Sequence, residues 1–154
     1  MIVYRVGKTK HANDLSGEGA RLFGGRWNHQ LIPCIYASAT RALAILEYSV
    51  NVGIEEMTHL LSITSLEVPE KLIKELETGE LPADWKAIPA PSSTKNIGTE
   101  FLRALSSPIL KVPSAIIEEE FNYVLNPFHK ESSRFKIVSI KEIEYDVRIK
   151  AGQL

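Results

Sequence analysis

Five consecutive residues, Gly24-Gly25-Arg26-Trp27-Asn28, combine the residue types that an anion-binding loop needs. Two glycines let the backbone adopt conformations that other residues avoid, and they let it approach a ligand closely. The guanidinium of Arg26 is a planar set of donors that suits a phosphate or a carboxylate. A purely structural turn would use the glycines, Trp27 and Asn28, but it would not need Arg26. The pattern therefore favours an anion-binding loop over a structural turn.

A single carboxylate, Glu47, stands in an otherwise apolar helical segment. The spacing predicts a helix over residues 39–52, capped by Ser38 and ended by Gly53. Because its residues from Ala42 to Val52 are apolar nearly all round, we expect this helix to be buried. No basic residue lies three or four positions from Glu47, and burying an unpaired carboxylate costs free energy. Glu47 therefore either pairs with a distant arginine or lines an active-site cleft, and the helix alone leaves both open.

Four other polar residues stand out, and for two of them, Arg5 and Tyr36, a ligand contact is one of the possibilities. Arg5 is either the charge of an edge strand or a second phosphate ligand, and Tyr36 is either a core ring or a ligand contact. Ser114 ends a short strand in a Pro-Ser turn. Asn122 is an amide in an alternating strand, where it bonds either the sheet edge or another polar partner.

Composition limits the class of protein. The 154 residues suffice for one domain with its own core. The net charge of −1 argues against a general binder of nucleic acid or of membrane surfaces. The single cysteine, Cys34, excludes a disulfide within the chain and fits a reducing compartment. The chain shows no signal peptide and no apolar run of the ~20 residues that span a bilayer, so we expect a cytoplasmic protein.

The remaining pattern predicts an α+β domain, because strands and helices do not alternate as repeated βαβ units. Long loops are predicted over 7–25 and 78–96. Strands are predicted over 2–6, 31–38, 59–68, 109–114, 121–127, 134–140 and 142–149, and further helices over 70–76 and 97–106. The apolar residues within 59–68 indicate a change of face midway along that strand, and the helix over 97–106 is expected to place Ile97, Phe101, Leu102 and Leu105 in the core. His11 and His129 have no metal-ligand spacing to a carboxylate or to Cys34, so no metal site is predicted.

Taken in chain order, these residues resemble the RES domain, a family named after an Arg, a Glu and a Ser. The resemblance covers nearly the whole chain, and each piece is weak alone whereas the ordered set is specific. One departure is Phe101 after Glu100, where a Trp is expected, and a Phe can fill the same core role. The residues that carry the resemblance are Arg26, Tyr36, Glu47, Pro113-Ser114, Asn122 through Asn126-Pro127, His129, Asp146 and Arg148.

The resemblance implies the toxin of a bacterial toxin–antitoxin pair whose partner is a helix-turn-helix antitoxin of the Xre type. The implied fold is that of ADP-ribosyltransferases of the diphtheria-toxin type, as a single NAD-binding domain over residues 1–154 with a mostly antiparallel β core flanked by helices. The implied activity is consumption of NAD by hydrolysis or phosphorolysis, with inorganic phosphate as a possible acceptor. NAD would be a substrate and not a permanently bound cofactor.

Cleavage of the nicotinamide–ribose bond gives the sugar oxocarbenium character, so such a site needs a pyrophosphate anchor, a flat surface and a carboxylate. We assign these roles to Arg26, Tyr36 and Glu47 respectively. By the same reasoning Ser114 and Asn122 would fix the ribose or the phosphates.

Arg5 would be a second phosphate contact. Two alternatives remain beside NAD cleavage. One is a protein ADP-ribosyltransferase that uses the same NAD site, and the other is a nucleotide-binding module without catalysis.

Overall fold

The computed structural model of the protein describes residues 1–58 and 60–150. Within these residues, seven strands form one sheet in the order β4-β5-β6-β2-β1-β3-β7. All neighbouring strands run antiparallel except β4 and β5, which are parallel. The strands are β1 (Ile2–Lys8), β2 (Ile35–Ser38), β3 (Leu61–Glu67), β4 (Ile73–Glu75), β5 (Ile109–Pro113), β6 (Phe121–Leu125) and β7 (Lys136–Ile143), and the described helices are α1 (Glu18–Phe23), α2 (Arg41–Asn51) and α3 (Ser92–Ala104). The predicted α+β class with a mostly antiparallel sheet is confirmed.

The sheet consists of two halves that meet at a short seam. The halves are β4-β5-β6-β2 and β1-β3-β7. Their central strands β1 and β2 share one registered residue pair, Tyr4 with Ser38. By contrast, β1 and β3 pair continuously from Ile2 with Glu67 to Lys8 with Leu61. The two halves are therefore joined at a point and not along a full ladder.

Alternation along β2 separates two cores on opposite faces of the sheet. Ile35 and Ala37 belong to a cluster with Val3, Leu66, Ile109 and Leu125. The other face carries a second cluster, which Tyr36 borders and to which α3 contributes two residues. Its members are Trp27, Cys34, Phe101, Leu102, Leu110, Val112 and Val124. The polar residues that share a face with Tyr36 therefore lie beside the second cluster.

Helix α3 begins earlier than the predicted 97–106 and packs against the backbone at Trp27. A Cβ atom on Gly98 would lie 1.8 Å from the Trp27 carbonyl oxygen, so this approach requires a glycine. Phe101 and Leu102 are buried as predicted. Leu105, predicted to be core, is 50% exposed, because it ends the helix with φ 51°. Residues 92–96, predicted as loop, are its first turn.

Helix α2 is shorter and less buried than predicted. Its N-cap is Thr40, whose Oγ1 accepts from the N–H of Leu43 at 3.1 Å, whereas Ser38 ends β2. The expectation of a helix buried all round is wrong, since Val50 is 54% exposed. The helix packs against β1 and β2, and its buried residues are Leu43, Ala44 and Ser49. One face of α2 therefore remains open.

The predicted helix over 70–76 is wrong. Glu70–Leu72 form one 3₁₀ turn, and the next three residues are strand β4. Ile73 pairs with Ile109 of β5 and packs on the first core cluster. The short apolar pattern fits either a helix or a strand, and the ladder with β5 decides for the strand.

The C-terminal strands also differ from the prediction. The pattern over 134–140 and 142–149 was interpreted as two strands, but β7 runs without a break from Lys136 to Ile143. Lys141, the residue between the two predicted strands, is neither glycine nor proline and does not interrupt β7. Strand β7 ends at Ile143, within the second predicted strand, and Val147–Ile149 form a 3₁₀ turn.

Two N-terminal predictions are corrected in their extent. The predicted loop over 7–25 contains the end of β1 and the helix α1. The predicted strand over 31–38 begins only at Ile35, because Leu31 adopts φ 73° and the Ile32 carbonyl accepts from Asn28.

The predicted strand over 59–68 corresponds to β3, and residue 59 lies outside the described residues. Its expected change of face occurs at a register shift between Ser65 and Leu66. None of the helices among the described residues combines the length and apolar character needed to cross a membrane.

Candidate active site

Helix α2 directs Glu47 towards the ends of β5 and β6, where two neutral donors bind one of its oxygens. The Ser114 hydroxyl donates to Glu47 Oε1 at 2.7 Å, and the Asn122 side-chain amide donates to the same atom at 2.5 Å. The sequence left two possibilities for Glu47, an ion pair with a distant arginine or a place in an active-site cleft. Among the described residues, Glu47 forms no ion pair with an arginine. In the part of the chain that the structure describes, the half-buried carboxylate is therefore held by neutral donors and not by an ion pair.

Ser114 is oriented by the turn that follows it. Its side chain is fully buried, and its Oγ accepts from the N–H groups of Ile116 at 3.1 Å and Ile117 at 3.2 Å. A hydroxyl has one hydrogen and two lone pairs. Because the two N–H groups occupy the lone pairs, the hydrogen is directed at Glu47.

Asn122 is oriented by a neighbour across the sheet. Ser38 of β2 lies opposite Asn122 of β6 in the antiparallel ladder, and its hydroxyl donates to Asn122 Oδ1 at 2.7 Å. The amide can then present only its NH₂ group to Glu47. Within residues 1–58 and 60–150, no hydrogen bond reaches Glu47 Oε2. We call Ser38, Glu47, Ser114 and Asn122 the Glu47 cluster.

Residues 24–28, which we call the Arg26 loop, form the second part of the site. The half-buried Arg26 donates from Nη1 to the carbonyls of Trp85 at 2.7 Å and Ala87 at 3.1 Å. Among the described residues its Nε and Nη2 have no acceptor. Burial lowers the pKa of the guanidinium, and the nearby negative charge of Glu47 opposes this shift. Arg26 is therefore a cation close to Glu47 with donors still available.

Tyr36 is fixed against the Arg26 loop through its hydroxyl. The hydroxyl accepts from the N–H of Trp27 at 2.9 Å and donates to Asn28 Oδ1 at 2.7 Å. A Cβ atom on Gly25 would lie 2.7 Å from the same hydroxyl, so the glycine allows backbone and ring to meet. Burial raises the pKa of Tyr36 well above its usual value. The side chain is therefore a neutral, immobile ring.

Asn28 holds the Arg26 loop in shape. It is fully buried, and its Nδ2 donates to the carbonyls of Ala20 at 2.8 Å and Ile32 at 2.9 Å. Trp27 beside it is 2% exposed within the second core cluster, and Gly24 adopts φ 70°. Gly24, Trp27 and Asn28 thus serve the structure of the loop, whereas Arg26 supplies its charge.

Arg5 lies on the other side of Tyr36. It donates from Nη1 to the Asp14 carbonyl at 2.7 Å, and from Nη2 to the carbonyls of Ala12 at 3.0 Å and His11 at 3.1 Å. Burial lowers its pKa, and the charge of Asp14 opposes that shift. With Tyr36 it lines a cavity of about 220 Å³ between β1, β2 and α1.

The structure thus brings Glu47, Ser114 and Asn122 into direct contact, with Arg26 nearby, and it places Tyr36 between the Arg26 loop and the cavity that Arg5 lines. Sequence reasoning missed Ser38, because it took this residue as a helix cap. The signal was available, since Ser38 lies two positions after Tyr36 and must share its face of the strand. No group of three or more His, Cys, Asp or Glu in the part of the chain that the structure describes could hold a metal ion.

Comparison with known proteins gives consistent matches over nearly the whole chain. The profile of the RES domain matches residues 2–148. A protein named Toxin Res from Photorhabdus laumondii is 38% identical over 149 residues, covering 96% of this chain and 94% of that protein. A Prs ADP-ribosylating toxin from Sphingobium sp. is 34% identical over 145 residues, covering 92% and 90%.

Among solved structures, the toxin–antitoxin complex MbcT–MbcA of M. tuberculosis contains a chain of the same fold. The TM-score is 0.73, and the match covers 92% of this chain and 83% of that one. At 20% identity, this likeness shows the fold alone.

Proposed function

This chain belongs to the RES domain family, and from that premise we propose that it is a toxin that consumes NAD by cleaving the nicotinamide–ribose bond. The observation that carries the proposal is the geometry at Glu47. One carboxylate oxygen is fixed by two neutral donors, Ser114 and Asn122, while the other has no hydrogen-bond partner among the described residues. A carboxylate held in this way is oriented without being neutralised.

The chemistry explains why orientation without neutralisation matters. When the bond to nicotinamide breaks, positive charge develops on the ribose while the cationic leaving group departs neutral. A fixed negative charge aimed at that position stabilises the transition state, because it needs no reorganisation during the reaction. We assign this role to Glu47, with Oε2 facing the ribose and accepting a hydroxyl hydrogen bond.

Arg26 and Arg5 are assigned to the pyrophosphate. Arg26 keeps Nε and one Nη available while the Trp85 and Ala87 carbonyls fix its orientation, and a fork of this kind suits phosphate oxygens. Arg5 lines the neighbouring cavity and would be a second phosphate contact. Both guanidiniums are bound to carbonyls and not to carboxylates, so their positive charges remain available to an anion.

Tyr36 is assigned to the nicotinamide. Its hydroxyl is already used by Trp27 and Asn28, so the ring offers a surface and not an acid or a base. We assign Ser114 and Asn122 to holding Glu47 instead of contacting ribose or phosphate, because the Ser114 hydroxyl and the Asn122 amide both donate to the carboxylate.

The acceptor of ADP-ribose would be water, phosphate or a protein. The protein-ADP-ribosylating alternative is supported by the Sphingobium relative, which is named as an ADP-ribosylating toxin. A partner antitoxin is supported by the structural neighbour, which is a toxin–antitoxin complex. We propose the Xre type for this partner from the family resemblance.

The test is incubation of the purified protein with NAD, with and without phosphate, followed by chromatography of the products. Release of free nicotinamide is expected, together with ADP-ribose, its phosphate, or an ADP-ribosylated protein detected by mass spectrometry. NAD binding without nicotinamide release, both with and without phosphate, would support the non-catalytic module and overturn this proposal.

A further inference from the structure

We propose that Ser38 is a positioning residue for Glu47 that acts through the side-chain amide of Asn122. This inference rests on the proposed function of Glu47. Ser38 is 4% exposed and contacts no candidate ligand position itself. Its effect would reach the reaction only through the two residues that follow it in the hydrogen-bond chain.

The hydrogen-bond chain has a fixed direction. Ser38 donates to Asn122 Oδ1 at 2.7 Å, and Asn122 donates from Nδ2 to Glu47 Oε1 at 2.5 Å. A carboxylate accepts hydrogen bonds only, so the amide must present its NH₂ group to Glu47 and its oxygen to a donor. Ser38 supplies that donor.

Ser38 has no competing local role. The residue before a helix often caps it, but α2 is capped by Thr40, which leaves the Ser38 hydroxyl free to face Asn122. The side chains are adjacent because Ser38 and Asn122 are direct partners in the β2–β6 ladder.

The position of Ser38 in the sheet adds a second reason. Ser38 is also the residue of β2 that pairs with Tyr4 of β1, the registered pair that joins the two halves of the sheet. The chain that orients Glu47 therefore begins at the point where the halves meet. A change in the seam would be transmitted to the carboxylate through Asn122.

Removing the hydroxyl would leave Asn122 Oδ1 without a donor in a partly buried place, which is unfavourable and weakens the orientation of the amide. Glu47 would then lose one of its two fixed donors while Ser114 remained.

The experiment compares Ser38→Ala with Ser38→Thr, which keeps a hydroxyl, and with Ser62→Ala as a matched control. Ser62 is equally buried, at 1% exposure, and its hydroxyl bonds Thr9 far from Glu47. We expect Ser38→Ala to lower kcat for nicotinamide release about 10-fold with little change in KM. Ser38→Thr should recover most of the rate, and Ser62→Ala should keep it.

A double-mutant cycle tests the route. In an Asn122→Ala background, Ser38→Ala should cause no further loss, because the intermediary is gone. Additive losses, or a Ser38→Ala rate within two-fold of wild type, would overturn the inference.

A measurement without catalysis separates this inference from the proposed function. In ¹H–¹⁵N NMR spectra the side-chain NH₂ signals of Asn122 should shift and exchange faster with water in Ser38→Ala, but not in Ser62→Ala. If the wild type released no nicotinamide, the proposed function would fail while these signals still tested the positioning. Unchanged Asn122 signals in Ser38→Ala would overturn the inference by themselves.

Discussion

The Glu47 cluster and the Arg26 loop each fix a charged side chain by hydrogen bonds to neutral groups, but the two charges are opposite and the neutral groups come from different parts of the chain. Glu47 is oriented by neutral donors from the turn after β5, from β6 and, through Asn122, from β2. Arg26 is oriented by neutral acceptors, the backbone carbonyls of Trp85 and Ala87. Neither charge is cancelled by a direct ion pair in the described residues. The difference is that Glu47 is held by side chains, whereas Arg26 is held by distant backbone carbonyls on a loop shaped by its own glycines and Asn28.

This comparison predicts that the two parts fail differently. Loss of the carboxylate should affect the chemical step, because it acts on charge that develops only in the transition state. Loss of the guanidinium geometry should affect substrate binding at least as strongly as the chemical step, because the pyrophosphate is charged in both the ground state and the transition state. Loop variants should also lose stability.

The largest effect is expected for Glu47→Gln, which keeps the shape and hydrogen-bonding oxygen but removes the charge. We expect kcat for nicotinamide release to fall on the order of 10³-fold, because a preorganised charge is lost. Steady-state assays by chromatography would measure this, with thermal unfolding to verify the fold. Near-native turnover in Glu47→Gln would disprove the electrostatic role.

A smaller effect, about 10²-fold in kcat/KM, is expected for Arg26→Lys, since an ammonium cannot bind two carbonyls and a phosphate as a planar fork does. The larger part should appear in KM for NAD, in contrast to Glu47→Gln. The matched control is Arg103→Lys at an exposed position on α3, which should leave both constants unchanged. A pure kcat effect at Arg26 would remove the distinction between the two parts of the site.

Gly25→Ala should combine an activity loss of about 10-fold with a stability loss of about 1–3 kcal/mol, since the added carbon overlaps the fixed Tyr36 ring. Gly79→Ala is the control, because nothing lies within 4 Å of a Cβ atom there. Urea unfolding and nicotinamide release would be measured on both variants. Equal behaviour of the two would show that the backbone contact with Tyr36 is not needed.

The smallest effect at neutral pH concerns the interior beside the loop. Burial raises the pKa of Cys34 from 9.0 to about 12 and raises that of Tyr36 as well. The folded chain then holds more protons than the unfolded chain between pH 9 and about 12 for Cys34 and above pH 10 for Tyr36, so the free energy of unfolding should fall as pH rises through these ranges, by up to about 1.4 kcal/mol per pH unit for each group.

Urea unfolding at several alkaline pH values would measure this slope. In Cys34→Ala the free energy of unfolding should decline less steeply with pH, because the difference in bound protons between the folded and unfolded chains is smaller by about one. An unchanged slope in Cys34→Ala would show that the thiol does not contribute.

The sequence indicated individual candidate residues better than it indicated which of them would meet. Gly24, Gly25, Arg26 and Asn28 lie within five residues, so the short motif alone suggested the hypothesis of an anion-binding loop, with Arg26 as the residue that a structural turn would not need. Glu47 was singled out by its isolation on an apolar helix. Which side chains would meet it could not be derived from that helix, because Ser114 directly follows β5 and Asn122 lies on β6, and the pairing of these strands depends on the whole sheet. Only the family resemblance placed them in the same site.

The errors have the same origin. Ser38 and Thr40 are both suitable helix caps, and the ladder between β2 and β6 decides which of them is free. The segment around Ile73 fits a helix or a strand until β5 is present to pair with it. Local propensity therefore predicted where individual segments lie, whereas the pairing of strands in the sheet determined which polar side chains come together.

Substitutions of Gly98 should be detectable in a genetic selection for inactive variants. Gly98 contributes no side chain to the site, yet a single added carbon there would collide with the carbonyl of Trp27, next to Arg26. In a selection for cells that survive expression of this chain, inactive variants should therefore arise at Gly98 as well as at Glu47. A map of such survivors would mark a codon on α3 that no inspection of catalytic chemistry would have chosen.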